Sequence, residues 1–509
     1  MEGRPCPLCL ELEEFDREYQ GILVGLAEQR RGILERINQR HDTFIQRLPP
    51  ELASQVFAFC LPQQASFDSD PLFIPLLWDE LKNSGITPFN IVLGSICRSW
   101  RRVAWSTPNL WSMLPIRLHR FDKKTRVDLT LDWLDRSAQI PLDVAVAFDA
   151  KMTPEELKEE NVGRWKPLID IANGCSSRWR ILNVDVPELV HSYIVGNGEA
   201  TSILECLKVG DTYTNQRFST GFSLTNSLPM PSKLVSSTLP LRSIIIGWSN
   251  LTSVRINDTF LDECLVLLQR ACRLTTFVID SDGLSSGRDE SLPAPSPTIH
   301  QTLQRLDIFE ILETQTAAQF LDFLTLPSLV DLSYDSEYNS LDNVLAFLQR
   351  SCCILTALYI MTNDDLNHFS RLVLASQAGL QSLENLVYHG DVDGLLPFLN
   401  RPPNEQDGSM FLPNLHSIEI WDDQKAWSGL ADLFLSRPLN SLSIHLQTYI
   451  NRKDDIWWVD KETALRFHDL IEIGRDIKIM GRLQGDSGEI RDLLPWFIKA
   501  RMSETRNTD

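Results

Sequence analysis

The first fifty residues carry apolar side chains at three- and four-residue steps, which is the spacing of one helical face. Residues 10–47 contain no proline, and the stripe, flanked by glutamate and arginine, consists of Leu23, Leu26, Arg30, Ile33 and Ile37. The pattern predicts a helix. Because the stripe spans only roughly two to three heptads, packing onto the next domain is favoured over a short dimerising coiled coil, and both remain open.

Two further helical segments are predicted on either side of an insertion. Leu48-Pro49-Pro50 ends the first helix and begins the second, with Glu51 near its positive end. The second helix carries apolar residues at Leu52, Val56, Phe57 and Cys60, and Pro62 stops it. Residues 63–88 indicate an irregular insertion. The third segment runs from Phe89 to Trp111 and has apolar residues at helical spacing at Val92, Ile96, Cys97, Trp100 and Val103.

From about residue 125 the pattern changes to short strands alternating with helices. Strands are predicted at Val127–Leu131 and Leu142–Phe148, and a helical segment at Leu131–Ser137. Two later segments, 261–279 and 341–360, match each other almost residue by residue. Each predicts an amphipathic helix ending in Gln-Arg, a short turn and a strand with alternating apolar residues.

The strand element recurs along the second half of the chain. Copies begin at Leu251, Leu303, Leu326, Leu380, Leu412 and Leu439. With the two matched segments included, successive copies lie roughly 23 to 32 residues apart, which is typical of the L-x-x-L-x-L pattern of leucine-rich repeats. Such units bury their apolar faces against their neighbours. Segments 281–298 and 401–409, rich in small and polar residues and proline, indicate loops between repeats.

Charge and cysteine content narrow the class of protein. The formal net charge is −20 at pH 7, so phosphate backbones repel the chain and no nucleic-acid partner is expected. Ten cysteines in 509 residues do not indicate a disulfide scaffold. Four of them lie in apolar helical stretches, where thiols are expected to act as small hydrophobic groups: Cys264, Cys272, Cys352 and Cys353.

The expected compartment is the cytoplasm, the nucleus or both. The opening Met1–Pro5 lacks the apolar core of a signal peptide, and no apolar run reaches the length of a membrane helix. We therefore expect no membrane association.

The segments LPPELASQVFAFCLP and FNIVLGSICRSWRRVAWSTPNLW together resemble the F-box of Skp–cullin–F-box ubiquitin ligases, in the split form found in large fungal families. The family's F-box is a three-helix unit that binds a Skp-type adaptor subunit. By position, the resemblance implies adaptor-binding roles for Leu48, Pro49, Leu52, Val56, Phe57, Val92, Ile96, Cys97, Trp100 and Trp111. Leu93, Arg101 and Leu110 also match the family pattern.

Two positions depart from the family pattern. The insertion at 63–88 is longer than the loop of the compact motif, and Ile96 stands where valine is expected before the cysteine. The isoleucine is nearly neutral sterically, whereas the insertion affects the geometry of adaptor binding. An alternative is a helical cap that packs onto the first repeats, since repeat arrays need covered ends.

Catalytic and metal motifs are weak, so we expect no enzyme activity, no cofactor and no metal. Gly283-Leu284-Ser285-Ser286-Gly287 matches the esterase elbow G-x-S-x-G, but a proline-rich stretch follows it where a helix is required. Cys6 and Cys9 form one C-x-x-C pair without a second ligand pair for tetrahedral zinc. His416 and His445 lie in predicted repeat strands and could face a concave surface.

Tryptophans concentrate near the C-terminus, where they serve either as core fillers, the favoured interpretation, or as binding hot spots. The run Trp421-Asp422-Asp423, just past a predicted strand, is the best candidate for contact with a target.

The sequence therefore predicts an α/β fold class in which a small N-terminal all-α F-box unit precedes an irregular leucine-rich repeat solenoid. The expected parts are an N-terminal helix over 1–47, an F-box-like domain over 48–115, a repeat domain over 116–480, and a C-terminal helix with a disordered tail over 481–509. The function expected from the resemblance is substrate recognition for a ubiquitin ligase, with a Skp-type adaptor subunit and an unidentified target protein as partners. The alternative is an interaction scaffold with no ligase role.

Overall fold

Helices dominate the first part of the chain and parallel strands the rest. A computed structural model describes residues 6–40, 48–61, 89–118, 124–148, 158, 161–197, 203–210, 222–224, 228–237, 239–285, 296–309, 314–335, 341–361, 380–389, 392–401, 410–421, 427–437, 439–450, 459, 461–483 and 490–504. The chain divides into two compact units: an N-terminal unit of residues 1–115 and 123–142, and a sheet unit of residues 116–122 and 143–509.

The N-terminal unit is built from five helices and one 3-10 turn in its described residues. They are α1 (Pro7–Arg40), α2 (Pro50–Phe59), α3 (Phe89–Ile96), α4 (Arg98–Trp105), the 3-10 turn Pro108–Trp111 and α5 (Lys124–Arg136). Pro50 occupies the first turn of α2, where its missing N–H costs no intrahelical bond, and Glu51 lies in the same turn. The predicted start of this helix is confirmed.

Among the described residues, fifteen strands form one sheet, and four two-residue strands form two separate pairs. The sheet strands are β1 (Met113–Leu118), β2 (Leu142–Phe148), β3 (Trp179–Asp185), β4 (Cys206–Gly210), β6 (Lys233–Ser237), β8 (Ser253–Phe260), β9 (Thr276–Ser285), β11 (Arg305–Ile308), β13 (Asp331–Asp335), β14 (Ala357–Met361), β15 (Asn385–His389), β16 (Ser417–Trp421), β17 (Ser441–Ile450), β18 (Asp476–Leu483) and β19 (Arg491–Asp492). The short pairs are β5 (Phe222–Ser223) with β7 (Ile244–Ile245), and β10 (Thr298–Ile299) with β12 (Leu324–Thr325).

Helices connect many of these strands. They are α6 (Val162–Gly174), α7 (Glu188–His191), α8 (Leu261–Arg270), α9 (Thr314–Asp322), α10 (Asp342–Ser351), α11 (Val392–Leu399), α12 (Trp427–Ser436), α13 (Lys461–Glu472) and α14 (Leu494–Glu504). None of the helices in the described ranges is both long and apolar enough to cross a lipid bilayer.

The sheet is held in register by two rows of buried side chains. In one row Leu306, Leu332, Leu358, Leu386, Ile418, Leu442 and Ile477 lie opposite one another on successive strands. Two positions further along, Ile308, Tyr334, Ile360, Tyr388, Ile420, Ile444 and Ile479 form the second row. Because side chains alternate between the faces of a strand, the residues between these rows occupy the opposite face of the sheet.

The predicted fold class is wrong. Fourteen of the strands form one long parallel sheet with connecting helices, rather than an all-α N-terminal unit followed by a separate leucine-rich repeat solenoid. The first strand, β1, begins at Met113, inside the region 48–115 that was predicted to be all helical. The physical reason is register: aliphatic side chains match from strand to strand, so each new strand extends the same sheet.

Many individual elements were nonetheless correctly predicted. Strand β2 covers Leu142–Phe148 as expected, and the two matched segments each contain a helix and a strand, α8 with β9 and α10 with β14. The six recurring copies coincide with β8, β11, β13, β15, β16 and β17.

Two local predictions are wrong. Val127–Leu131, predicted as a strand, lies inside α5, where the partly buried residues Arg126, Val127, Thr130 and Trp133 recur at helical rather than two-residue spacing. Residues 281–285, predicted as loop, continue β9, because Leu284 and Ser285 pair with the end of β8 beyond a bulge. The rest of that predicted loop up to 295, and 402–409 of the other, lie outside the described residues.

Of the four cysteines that were expected to act as small hydrophobic groups, two are buried and two are exposed. Cys264 and Cys353 are buried, and burial raises the pKa of the Cys353 thiol to about 11. Cys272 and Cys352 are exposed, and neither lies within a helix: α8 ends at Arg270 and α10 at Ser351. Eight thiols that the structure describes are free: Cys60, Cys97, Cys175, Cys206, Cys264, Cys272, Cys352 and Cys353.

A buried arginine joins three segments of the sheet unit. Arg437, directly after α12, is only 4% exposed. Its Nε donates to the carbonyl of Leu399 at 2.6 Å, and its Nη1 donates to the carbonyl of Leu412 at 2.8 Å. Burial lowers the pKa of the guanidinium to about 10. The planar guanidinium holds two nitrogens in fixed positions, which an ammonium cannot do.

We expect Arg437→Lys to lower the free energy of unfolding by about 1–3 kcal/mol, because at least one carbonyl loses its donor in a buried site. Thermal or urea denaturation measures this loss. The matched control is Arg475→Lys, whose guanidinium bonds to Asn440 at the surface and whose replacement is expected to cost less than about 0.5 kcal/mol. Equal losses for the two variants would show that the buried bonds do not stabilise the fold.

Candidate functional site

The N-terminal unit encloses a small core where three helices and a turn meet. The fully buried members are Ala53, Phe57, Leu93, Ala104, Leu110 and Trp111. Partly buried side chains complete it: Leu48, Leu61, Phe89, Trp100, Val103 and Trp133. The core therefore uses one face each of α2, α3 and α4.

Polar bonds fix these helices in place. Asn90 is buried and donates from Nδ2 to the carbonyl of Leu110 at 3.2 Å. The indole of Trp111 donates to the carbonyl of Ala104 at 2.8 Å. The hydroxyl of Thr107 donates to that of Ser54 at 2.8 Å, which links the start of the 3-10 turn to α2. The three bonds join segments that are 7, 20 and 53 residues apart in sequence.

A break at Cys97 separates α3 from α4, although the apolar spacing predicted one helical segment. Cys97 is extended, with φ −157° and ψ 170°, and its Sγ accepts a hydrogen bond from the backbone N–H of Trp100 at 3.4 Å. Arg101 bridges the break by donating from Nε to the carbonyl of Gly94 at 2.7 Å. The thiol therefore caps α4 at its N-terminus.

The opposite faces of α2 and α3 are apolar and exposed. On α2, Leu52, Val56 and Phe59 follow one another at steps of four and three residues, on the side away from Ala53 and Phe57. Leu52 is 46% exposed and Phe59 is 78% exposed. On α3, Ile91, Val92 and Ile96 are exposed as well. We call these six residues the outer apolar faces.

The structure divides the ten predicted adaptor-binding residues into three groups. Five are exposed: Pro49, Leu52, Val56, Val92 and Ile96. Leu48, Cys97 and Trp100 are half-buried. Phe57 and Trp111 are each 1% exposed, and both fill the core of the unit.

Trp100 has a mixed position. Its ring lies 5.0 Å from that of Phe57, so it packs against the core. Its indole nitrogen is buried and has no hydrogen-bond partner among the described residues. A substitution at Trp100 therefore disturbs folding as well as any contact with a partner.

Sequence reasoning missed Phe59, Ile91 and Trp105. Trp105 is exposed at 43%, and the guanidinium groups of Arg101 and Arg136 lie over its ring at 5.4 Å and 4.5 Å. Phe59 could have been found by extending the four- and three-residue steps from Leu52 through Val56. The family comparison drew attention to Phe57 instead.

A second candidate site lies on the sheet, on the face opposite the two buried rows. Five residues face one another in register on adjacent strands: Met361, His389, Trp421, His445 and Met480. All are partly exposed. We call them the aromatic row.

Trp421 lies at the centre of this row. Its ring stacks on that of His445 at a centroid distance of 4.3 Å and an interplanar angle of 10°. The Glu419 carboxylate accepts a hydrogen bond from the Trp421 indole at 2.7 Å, and its Oε1 lies 3.2 Å from His445 Nε2. The predicted target-binding residues Asp422 and Asp423 lie outside the described residues.

Charged pairs cover the same face farther toward the N-terminus. Arg305 donates from Nε to Asp307 at 2.8 Å and approaches Asp331 at 3.5 Å, while Arg255 bonds to Asp280 on the neighbouring strand. Asp307 is fully buried, and desolvation raises the pKa of its carboxyl despite the adjacent arginine. Arg305 bonds to one oxygen of Asp307, and the other oxygen, Oδ1, is buried without a hydrogen-bond partner among the described residues.

The structure adds little support for catalysis or metal binding. Ser285 is the last residue of β9 and pairs with Phe260, so it belongs to a strand rather than to the turn that an esterase elbow requires. Ser286 and Gly287 lie outside the described residues. Across the described ranges, no group of three or more His, Cys, Asp or Glu side chains is placed to hold a metal ion.

The stacking of His445 on Trp421 predicts that the stability of the protein depends on pH. Desolvation lowers the pKa of His445 below its usual 6.5, and the Glu419 carboxylate only partly opposes this. The unfolded chain therefore binds more protons than the folded one, and stability falls as pH drops below about 6.5. We expect His445→Gln to remove this loss of stability. The melting temperature of the variant minus that of the original protein should therefore increase as the pH is lowered from 7 to 5.

The matched control is His416→Gln, which lies just before β16 and outside the aromatic row. If the melting temperature of His445→Gln depends on pH in the same way as that of the original protein, the lowered pKa of His445 is not the cause of the loss.

No protein-family model matches this chain, and no curated protein matches its sequence. Any function must therefore follow from the residues themselves. Two surface features that the cores do not account for are the outer apolar faces of the N-terminal unit and the aromatic row of the sheet unit.

Proposed function

We propose that this protein is an F-box-like adaptor that binds a Skp-type subunit through its N-terminal unit and a target protein through the polar face of its sheet. The observation that carries the proposal is that α2 and α3 are apolar on both sides. Their inner faces form the core, while Leu52, Val56, Phe59 and Val92 remain exposed.

Exposed apolar side chains favour association. Removing apolar surface from water contributes roughly 25 cal/mol per Å², before the entropic costs of binding are subtracted. Single exposed apolar residues are common on proteins, but rows of them on two helices are typical of an interaction site. The resemblance of residues 48–61 and 89–111 to the F-box supplies the identity of the partner.

The proposed mechanism is tethering. One unit holds the ligase through the Skp-type subunit, and the other holds the target, so ubiquitin transfer by a separate subunit becomes effectively intramolecular. No residue of this chain takes part in covalent chemistry. The proposed location follows from such partners and is the cytoplasm, the nucleus or both.

The aromatic row is the proposed target-facing surface. Trp421 offers a large ring whose position is held by His445 and Glu419, and tryptophan is enriched among residues that dominate binding energy. The carboxylate of Glu419 and the net charge of −20 favour a target with cationic side chains.

A second candidate is an interaction scaffold without a ligase role. It is favoured by the burial of Phe57 and Trp111, since two of the ten positions taken from the family pattern serve the core of this chain. On this alternative the sheet unit binds its target, and the outer apolar faces bind something other than a Skp-type subunit.

We expect Leu52→Asp and Val92→Asp each to weaken binding to a purified Skp-type subunit by more than about 100-fold, because each places an unpaired charge in an apolar interface. Isothermal titration calorimetry on the full chain measures the affinity. Both side chains are exposed, so the melting temperature should change little.

The matched control is Leu129→Asp on α5, which is 61% exposed in the same unit but outside the outer apolar faces. Its affinity should equal that of the original protein. If the original protein fails to bind any Skp-type subunit, the ligase role is excluded and the scaffold remains.

A further inference from the structure

Helix α1 carries an apolar seam that was underestimated from the sequence. At alternating steps of four and three residues lie Leu8, Leu12, Phe15, Tyr19, Ile22 and Leu26, and Ile33 continues the series one heptad later. Only Gln29 interrupts it with a polar side chain. The seam thus covers nearly four heptads, whereas the stripe from Leu23 to Ile37 covered fewer.

No other part of the described structure buries the seam. All seven apolar residues are exposed, Leu26 at 57%. The stripe predicted to pack on the following domain, including Leu23, Ile33 and Ile37, is exposed too. Helix α1 touches its own unit through an ion pair between Glu35 and Arg98, at 3.0 Å. The preferred prediction, packing of the stripe, is therefore not observed.

Charges on α1 are distributed unevenly along its length. Residues 11–18 contain five acidic side chains and one arginine, whereas residues 28–36 contain three arginines and two glutamates. One of those glutamates, Glu35, is already paired with Arg98. Interaction with the helix dipole is confined to the terminal turns, so it does not account for acidic residues as far along as Glu18.

We propose that α1 associates with the α1 of a second copy of this chain, in antiparallel orientation, along this seam. An antiparallel pair places the acidic half of each helix beside the basic half of the other. With Ile22 opposite the partner's Leu26, Tyr19 lies opposite the partner's Gln29, and Phe15 opposite the partner's Ile33. Leu12 and Leu8 then lie opposite positions 36 and 40 of the partner, both arginine, a residue type whose aliphatic stem can lie along apolar surface. Asp16 then flanks the partner's Arg30, and symmetry repeats each contact.

The parallel arrangement is less favourable. In a parallel coiled coil Glu11 flanks the partner's Asp16, which brings like charges together, and Gln29 meets the partner's Gln29 in the core. In the antiparallel pair Gln29 meets a tyrosine, whose hydroxyl can accept or donate a hydrogen bond.

The seam area fits a weak dimer. A 34-residue helix is about 51 Å long and 10–12 Å wide, so two such helices bury on the order of 1,000 Å² in total. That area lies at the lower limit for specific interfaces. We therefore expect a dimer whose dissociation constant is in the micromolar range and whose population depends on concentration.

Analytical ultracentrifugation of the full chain at increasing concentration tests the proposal. Leu26→Glu should raise the dissociation constant by more than about 100-fold, since it buries an unpaired charge at the seam. The matched control is Val24→Glu on the same helix, which has nearly the same exposure, 58%, but lies off the seam, and it should dimerise like the original protein. Circular dichroism confirms that the helix persists, because glutamate is a good helix former.

The orientation is tested by reversing charge. In an antiparallel dimer, Asp16→Arg places like charges together and raises the dissociation constant by roughly 3- to 10-fold, and the added Arg30→Asp change restores it. In a parallel dimer, Asp16→Arg would relieve repulsion with Glu11 and strengthen association instead. Strengthening, a monomer at every concentration, or equal weakening by Val24→Glu would each overturn the proposal.

Dimerisation and adaptor binding are separable. Leu26→Glu lies outside the outer apolar faces and should leave the affinity for a Skp-type subunit unchanged, while Leu52→Asp should leave the dimer intact. Failure of one proposal therefore does not imply failure of the other.

Discussion

Register between parallel strands is the constraint on which the sheet unit depends. From β11 to β18, each strand contributes two buried side chains to the rows, and each meets a buried side chain of the next strand, as Leu332 meets Leu358 and Tyr334 meets Ile360. A slip of one residue would exchange the buried set for the polar one. The same constraint brings Trp421 beside His445, because residues opposite one another alternate faces together. The packing of the buried rows therefore also fixes the positions of the residues of the aromatic row.

Individual helices and strands were predictable because the spacing of apolar residues within each segment determines them. The helix of segment 261–279, its Gln-Arg end and the following strand all follow from spacing within about twenty residues. The fold class was not predictable in the same way. Whether strands join into one sheet depends on pairing between residues 20 to 35 positions apart, and single-strand patterns do not report where one sheet ends.

In the N-terminal unit, the sequence pattern showed which helical positions are apolar, but not which of them face the core and which face the surface. Phe57 and Phe59 are two residues apart, yet one is buried and the other is among the most exposed aromatic residues. A helix with apolar residues on both faces has two possible inner faces, and the choice between them depends on tertiary neighbours such as Trp100, whose ring lies 5.0 Å from that of Phe57. The break at Cys97 was missed for a related reason, since apolar spacing continues across it while the backbone does not.

The last strand, β19, differs from the others in direction. It has two residues, runs antiparallel to β18, and its Asp492 carboxylate accepts hydrogen bonds from the backbone N–H groups of Ile479 and Leu494. A parallel array grows by adding strands of one polarity, and an open flank would offer its unpaired amides to any extended peptide, including a neighbouring molecule. The short reversed strand pairs with Met480 and Gly481 of β18, and its carboxylate occupies the amide of Ile479, so fewer amides of that edge are open to a peptide. At this end of the sheet, the change of strand direction therefore works against the stacking of a neighbouring molecule in the parallel arrangement.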